Sequence, residues 1–185
     1  SMPIQTPICD FGQKALPFEL KSTDNKIISL DNIKGENGTL IMFICNHCPY
    51  VKAVTKEIVE DCNELKKIGI NSVAICSNDA VNYPDDSFDN MIKFSNDNEF
   101  NFPYLQDETQ EIAKAYDAVC TPDFFGYNKD LGLQYRGRLR ELKNFVPVKD
   151  GESDLLKAMK QIANTGKGPQ NQIPSAGCGI KWKYD

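Results

Sequence analysis

Along residues 18–30 apolar and polar positions alternate on either side of Asp24 and Asn25. Two alternating stretches around turn residues predict a β-hairpin. After a second turn at residues 35–38 the chain runs Thr39, Leu40, Ile41, Met42, Phe43 and Ile44, almost unbroken in its apolarity. A strand covered on both faces, as in a central parallel pair, has this pattern. From Pro49 the period changes. Val51, Val54, Ile58, Cys62, Leu65 and Ile68 recur at three- and four-residue steps, which predicts a helix closed by Gly69. Pro49 suits its first turn, where the missing amide hydrogen costs no hydrogen bond. Residues 70–76 are apolar again, so residues 39–76 predict a β-α-β unit with parallel strands.

Further along, the signals are shorter. Residues 77–87 are polar, hold Tyr83, Pro84, Asp85 and Asp86, and predict a surface loop. Residues 88–98 predict a helix with Met91, Ile92 and Phe94 on its apolar side, and residues 102–105 a short strand. Asp107 is placed to cap a helix over residues 108–116. Residues 124–127 and 133–137 predict antiparallel strands about a turn, and residues 154–163 a last amphipathic helix. Gly, Pro, Lys and Asn dominate the end of the chain. The expectation is one domain over residues 1–165 and a tail over residues 166–185. The order of elements predicts an α/β domain with a mixed sheet flanked by helices.

A chain of 185 residues is long enough to bury a substantial core. Its net charge of -5 argues against a nucleic-acid partner, because phosphate binding needs a basic patch. The small cluster Arg136, Arg138 and Arg140 is expected to be a solvated face. The longest apolar run, residues 40–45, is far short of the ~20 residues a membrane span needs, so no membrane association is expected. The first ten residues lack the basic start and apolar stretch of a secretion signal. There are seven cysteines, an odd number, in a chain that needs no disulfide staples. Together these point to the reducing cytoplasm, with one reactive pair and several inert thiols.

The reactive pair is Cys45-Asn46-His47-Cys48, set where the buried strand becomes a helix. A helix start offers unpaired amide hydrogens and positive potential, both of which stabilise a thiolate. Cysteines so placed have pKa values of roughly 3.5–7.5. The spacing brings the two sulfurs within bonding reach, and near a β-α-β unit it reads as a redox motif. Cys45 precedes the helix and is expected to be the more exposed, attacking sulfur, with Cys48 resolving the mixed disulfide. Core burial and half of a zinc site are the competing readings, the latter lacking a second ligand pair.

His47 is the single histidine and is expected to tune the Cys45 thiolate, or else to serve as a metal ligand. Thr121-Pro122 is placed to form a substrate loop against the helix start, with a cis bond. Cys120 would then lie near the pair as a third thiol or ligand. Cys178, between Gly177 and Gly179, is expected either to reach the pair from a mobile tail or simply to pack while Ile180 and Trp182 dock the tail. Cys62 and Cys76 fall at core positions, and Cys9 has no motif around it.

Phe43-Ile44-Cys45-Asn46-His47-Cys48-Pro49-Tyr50-Val51-Lys52-Ala53 resembles the active-site stretch of the peroxiredoxin-like thioredoxin-fold proteins. So do residues 73–79, 102–110, 120–125, 135–137 and 174–178, with Ile180-Lys181-Trp182, which together cover nearly the whole chain. The resemblance implies a thioredoxin fold with an N-terminal hairpin, as in the alkyl hydroperoxide reductase and thiol-specific antioxidant superfamily. In the peroxidases of that superfamily the position of Cys48 before Pro49 attacks peroxide. A Thr or Ser is wanted three residues earlier, where this chain has Cys45, and an arginine is wanted on the thiolate, for which Arg136 and Arg138 are candidates. The leading expectation is therefore a thiol–disulfide oxidoreductase without cofactor or bound metal, acting on protein disulfides or small thiols. A thiol peroxidase and a Cu(I)- or zinc-binding protein using Cys45, His47, Cys48 and Cys120 are the alternatives. A non-enzymatic interaction domain is the fourth.

Overall fold

The computed structural model describes residues 2–184. The chain starts with β1 (Ile4–Gln5), the hairpin β2 (Glu19–Ser22) and β3 (Ile27–Ser29), and a single-turn helix α1 (Leu30–Ile33). Strand β4 (Gly38–Phe43), helices α2 (Pro49–Lys52) and α3 (Thr55–Lys67), and β5 (Ile70–Cys76) follow. Next come α4 (Phe88–Asp97), β6 (Tyr104–Gln106), α5 (Glu111–Ala115), β7 (Cys120–Thr121), β8 (Asp123–Asn128) and β9 (Leu133–Tyr135). A two-strand hairpin of β10 (Leu142–Lys143) and β11 (Val146–Pro147), then α6 (Asp154–Thr165) and β12 (Ala176–Gly179), complete it.

Seven strands form the central sheet in the order β3-β2-β6-β5-β4-β8-β9. β5 pairs parallel with β4 and β6, and the other pairings are antiparallel. This is the mixed sheet the element order predicts. The continuous apolarity of β4 reflects burial on both faces. Leu40, Met42 and Ile44 enter one core with Ile58, Leu65 and Met159. Ile41 and Phe43 enter the other with Val73, Tyr116 and Phe125. Adjacent strand residues point to opposite sides, so one strand feeds both cores. Each such side chain contributes about 1.5–3 kcal/mol by leaving water.

Several expectations are corrected. The predicted helix from Pro49 is broken after α2. Val54 N–H and Thr55 Oγ1 both donate to the Val51 carbonyl, at 3.0 and 2.7 Å, and this back-bonding interrupts the α ladder. Asp107 does cap α5, but from four residues before its first turn. Its carboxylate accepts from Ile112 and Ala113 N–H at 3.2 and 2.9 Å.

The loop over residues 77–87 is not a plain surface loop, because Ser77, Asp79 and Asp86 are buried in it. The arginine cluster is not a solvated face. Arg136 is buried against Asp123 and Arg140 against Glu57, both at close ion-pair distance.

The final segment is not a loose tail. β12 lies between β1 and β7 in a second, three-stranded sheet, and Ile180 is buried in the core. Its glycine-rich composition suggested mobility, but Gly177 serves close approach. A Cβ there would sit 1.9 Å from the Thr121 carbonyl oxygen. Among the described residues no helix is long and apolar enough to cross a membrane.

Candidate active site

β4 ends at Phe43, and the Ile44 N–H still bonds to Ile75 O at 3.0 Å, so the sheet holds the chain up to Cys45. Cys48 then takes an extended conformation as the N-cap of α2, with Pro49 in the first turn. The two sulfurs therefore meet at the carboxyl end of the central strand, where open α/β sheets leave a crevice. Facing them is the Thr121–Pro122 bond, which is cis. Cys48 Sγ lies 3.3 Å from the Thr121 carbonyl oxygen, to which its thiol form donates, and Cys45 Sγ lies 3.4 Å from Thr121 Oγ1.

The expectation that Cys45 is the more exposed sulfur is not met, since each of the two residues is only 1% exposed. Their acidities also separate in the direction opposite to that expected. The Cys48 thiol is lowered to about 5, first by the hydrogen bond from Cys45, with Cys178 and Thr121 adding and burial opposing. The Cys45 thiol is raised well above its usual range, because it donates to Cys48, is buried and lies near the Asp86 charge.

Asp86 is a site residue that sequence reading missed. Its carboxylate accepts from Asn46 N–H at 2.8 Å and from Asn78 Nδ2 at 2.9 Å, and lies 2.8 Å from His47 Nδ1. Tyr104 OH donates to Asn46 Oδ1 at 2.7 Å. The dipeptide between the cysteines is thus clamped from both sides. Nothing in the local sequence separates Asp86 from Asp85 beside it, because its role depends on a fold contact forty residues away.

His47 is directed to Asp86 and not to a sulfur. The donor atoms of Cys45, His47 and Asp86 lie within 4.8 Å of one another, a set of chemically mixed ligands on which a divalent cation could sit. Cys120 is not part of that set. It is buried, its thiol donates toward the Pro122 carbonyl at 3.7 Å, and burial pushes its pKa far up.

The arginines expected near the thiolate are engaged elsewhere. Arg136 donates twice to Asp123 and once to the Asp117 carbonyl, at 2.8–3.2 Å. Arg138 pairs with Asp154 at 2.7 Å. A groove of about 370 Å³, bordered by Tyr50, Val54, Pro122, Arg138, Leu142 and Pro174, runs beside the cis-proline loop. Cys62 and Cys76 are buried core thiols, each pushed up to about 12 by burial. Cys178 lies on β12 opposite Thr121, the residue whose carbonyl contacts Cys48, and packs against the core cluster that holds both Cys45 and Cys48.

The profile of the AhpC/TSA family matches residues 11–141. No curated protein matches the chain. Among solved structures, an uncharacterized conserved protein from Geobacillus kaustophilus is similar at 43% identity and a TM-score of 0.92, over 99% of this chain and 97% of that one. A hypothetical protein from Sinorhizobium meliloti 1021 is similar at 31% identity and a TM-score of 0.89, over 100% of both chains. At 14% identity, peroxidoxin BcpB from Mycobacterium tuberculosis shares the fold, with a TM-score of 0.58 over 83% of this chain and 92% of that one.

Proposed function

The chain belongs to the AhpC/TSA family and has the thioredoxin fold, and we propose that within that family it is a thiol–disulfide oxidoreductase working through Cys45 and Cys48. The observation that carries this reading is the asymmetric thiol pair against the cis-proline loop. Cys48 is lowered to about 5, while its neighbour Cys45 keeps its proton and donates to it. At neutral pH the pair holds one thiolate and one thiol in contact, which is the starting state for disulfide exchange.

Cys48 attacks one sulfur of a partner disulfide, and the leaving thiol takes a proton from solvent. Once Cys48 is bonded its negative charge is gone, so nothing beyond burial and Asp86 holds the proton on Cys45. Cys45 then attacks Cys48, the mixed disulfide breaks, and the partner leaves doubly reduced. The roles of the two cysteines are thus the reverse of those expected from chain order. The groove beside Pro122 suits an extended partner segment, either a protein disulfide or a small thiol compound. Asp86, Asn46 and His47 position the loop between the cysteines.

A thiol peroxidase is the second reading, favoured by the acidity of Cys48 and the proline that follows it. Against it stand Cys45 in place of a hydroxyl donor and the engagement of Arg136 and Arg138 with Asp123 and Asp154. Insulin-disulfide reduction and stopped-flow reaction with hydrogen peroxide separate the two. The expected outcome is insulin turnover abolished in Cys48→Ser, a trapped mixed disulfide when Cys45→Ser is combined with Cys178→Ser, and slow peroxide reaction throughout. Fast peroxide oxidation that survives Cys45→Ser but not Cys48→Ser would replace the oxidoreductase reading with the peroxidase.

A further inference from the structure

Three thiols meet at this site, and the two-cysteine exchange uses only two. β12 pairs antiparallel with β7 in a register that sets Cys178 opposite Thr121, the residue whose carbonyl contacts Cys48. Cys178 packs against the core cluster that contains both Cys45 and Cys48. The strand is brought this close by its flanking glycines. A Cβ at 177 would strike the Thr121 carbonyl, and one at 179 would lie 2.7 Å from the Ile4 side chain. The segment beyond is pinned too. Lys181 N–H donates to Asn78 Oδ1, and its carbonyl accepts from Asp79 N–H and Gln110 Nε2, all at 2.8–2.9 Å. Cys178 is therefore held at Cys48, not delivered by a mobile tail.

The three thiols differ in access. Cys45 and Cys48 are closed to solvent, whereas Cys178 is half-buried. A disulfide between Cys45 and Cys48 would be open only to an extended segment seated beside Pro122 and shielded from a folded reductant, because thiol exchange needs in-line access to a sulfur.

We propose that Cys178 is a third redox thiol of this centre, which takes over Cys48 from Cys45 and presents the disulfide at the protein surface for reduction. This rests on the reading of Cys45 and Cys48 as the exchanging pair. In the step, the Cys178 sulfur attacks Cys48 of the Cys45–Cys48 disulfide. The Cys48–Cys178 bond forms, the Cys45–Cys48 bond breaks, and the Cys178 proton ends on Cys45. There is no net oxidation, so no further oxidant is needed. A reductant thiol then attacks Cys178, releasing Cys48 as the thiolate, and a second thiol completes the reduction. Burial and the neighbouring Cys48 push Cys178 up to about 12, and Cys45 is raised as well, so the exchange trades one basic thiol for another.

The test is disulfide mapping of the full chain. Reduced protein is oxidised with one equivalent of diamide, blocked with N-ethylmaleimide in acid, digested with trypsin and analysed by mass spectrometry. Cys45 and Cys48 share the tryptic peptide ending at Lys52, while Cys178 lies on the one ending at Lys181, so a bond to Cys178 appears as a cross-link. Wild type is expected to give both the closed Cys45–Cys48 peptide and the cross-link, and Cys45→Ser the cross-link alone. Cys178→Ser is expected to form the Cys45–Cys48 bond normally but to lose most of its reduction rate with a protein dithiol. Reduction by the small tris(2-carboxyethyl)phosphine should change far less.

A Cys45→Ser protein whose Cys48 is oxidised while Cys178 stays alkylated, with no cross-link in wild type, overturns the proposal and leaves the pair intact. Equal protein-dithiol rates for wild type and Cys178→Ser also overturn it. Absence of a Cys45–Cys48 bond in wild type and in Cys178→Ser instead removes the reading beneath it. The wild-type and Cys178→Ser arms keep the test decisive should Cys45→Ser fail to fold.

Discussion

The interaction between the two thiols lowers Cys48 and raises Cys45, and burial and the Asp86 charge raise Cys45 further. The Cys48 pKa in the folded chain lies below the usual 9.0 of a thiol. The thiolate therefore stabilises the reduced fold fully above pH 9, and this contribution is lost as the pH falls through about 5. Urea melts of the reduced protein are expected to show wild type gaining on Cys48→Ser between pH 5 and pH 9. Iodoacetamide should alkylate Cys48 with a midpoint near pH 5, moving upward in Cys45→Ala, which removes one donor. An unchanged midpoint in that variant would mean that the Cys45 hydrogen bond does not set the acidity. Asp86 matters in a different way. Its buried carboxylate holds Asn46 N–H, Asn78 and His47, so Asp86→Asn leaves donors facing donors. A loss of about 2 kcal/mol in the same melts is expected, from unsatisfied buried groups. Because the variant also removes the negative charge beside Cys45, that thiol should become easier to deprotonate.

Between elements, the strand β12 was the least visible part of the sequence. It has four residues, two of them glycine, and no alternating pattern. Its pairing was legible only once β1 and β7 were in place on either side. The substitution Gly177→Ala tests how closely the strand is fitted. A methyl group 1.9 Å from a backbone oxygen cannot be absorbed by a rotamer change, so β12 must move away from β7. About 2 kcal/mol of destabilisation is expected, in line with overpacking. A Tm equal to that of wild type would show that β12 shifts freely. The helix break after α2 is of the same kind. The three- and four-residue period placed Ile58, Cys62 and Leu65 of α3 on the buried side but not Thr55, Glu57 and Asp61, and Thr55 Oγ1 competing for the Val51 carbonyl decided where the ladder stops.

On the scale of the molecule, the arginines expected at the surface are fasteners between distant segments. Arg140 makes a bidentate pair with Glu57 of α3, eighty-three residues away, and also bonds the carbonyls of Val148 and Gly151. Lys149 adds a second, exposed contact to the same carboxylate at 3.2 Å. Arg140→Met leaves Glu57 buried with only that lysine, and about 3 kcal/mol should be lost on urea unfolding, with the restoring double variant Glu57→Gln/Arg140→Met recovering part of it. A loss under the error of the melt would place the pair among surface ion pairs. The packing of β12 and Ile180 into the body makes residues 176–180 part of the fold in the same sense, though they read as a tail.

The sequence by itself determined what depends on short range. Periods of two and of three to four residues marked the hairpin, the β-α-β unit, α4 and α6. The C-x-x-C spacing singled out Cys45 and Cys48, a local signal, whereas the cis bond at Thr121–Pro122 was expected from the order of elements. Only the tertiary structure decided that Asp86 and not Asp85 holds the loop, that Arg136 and Arg140 are buried, and that Cys178 lies opposite Thr121. These placements arise from atoms brought together across the fold, from forty residues apart for Asn46 and Asp86 to eighty-three for Glu57 and Arg140, and such distances leave no period in the chain.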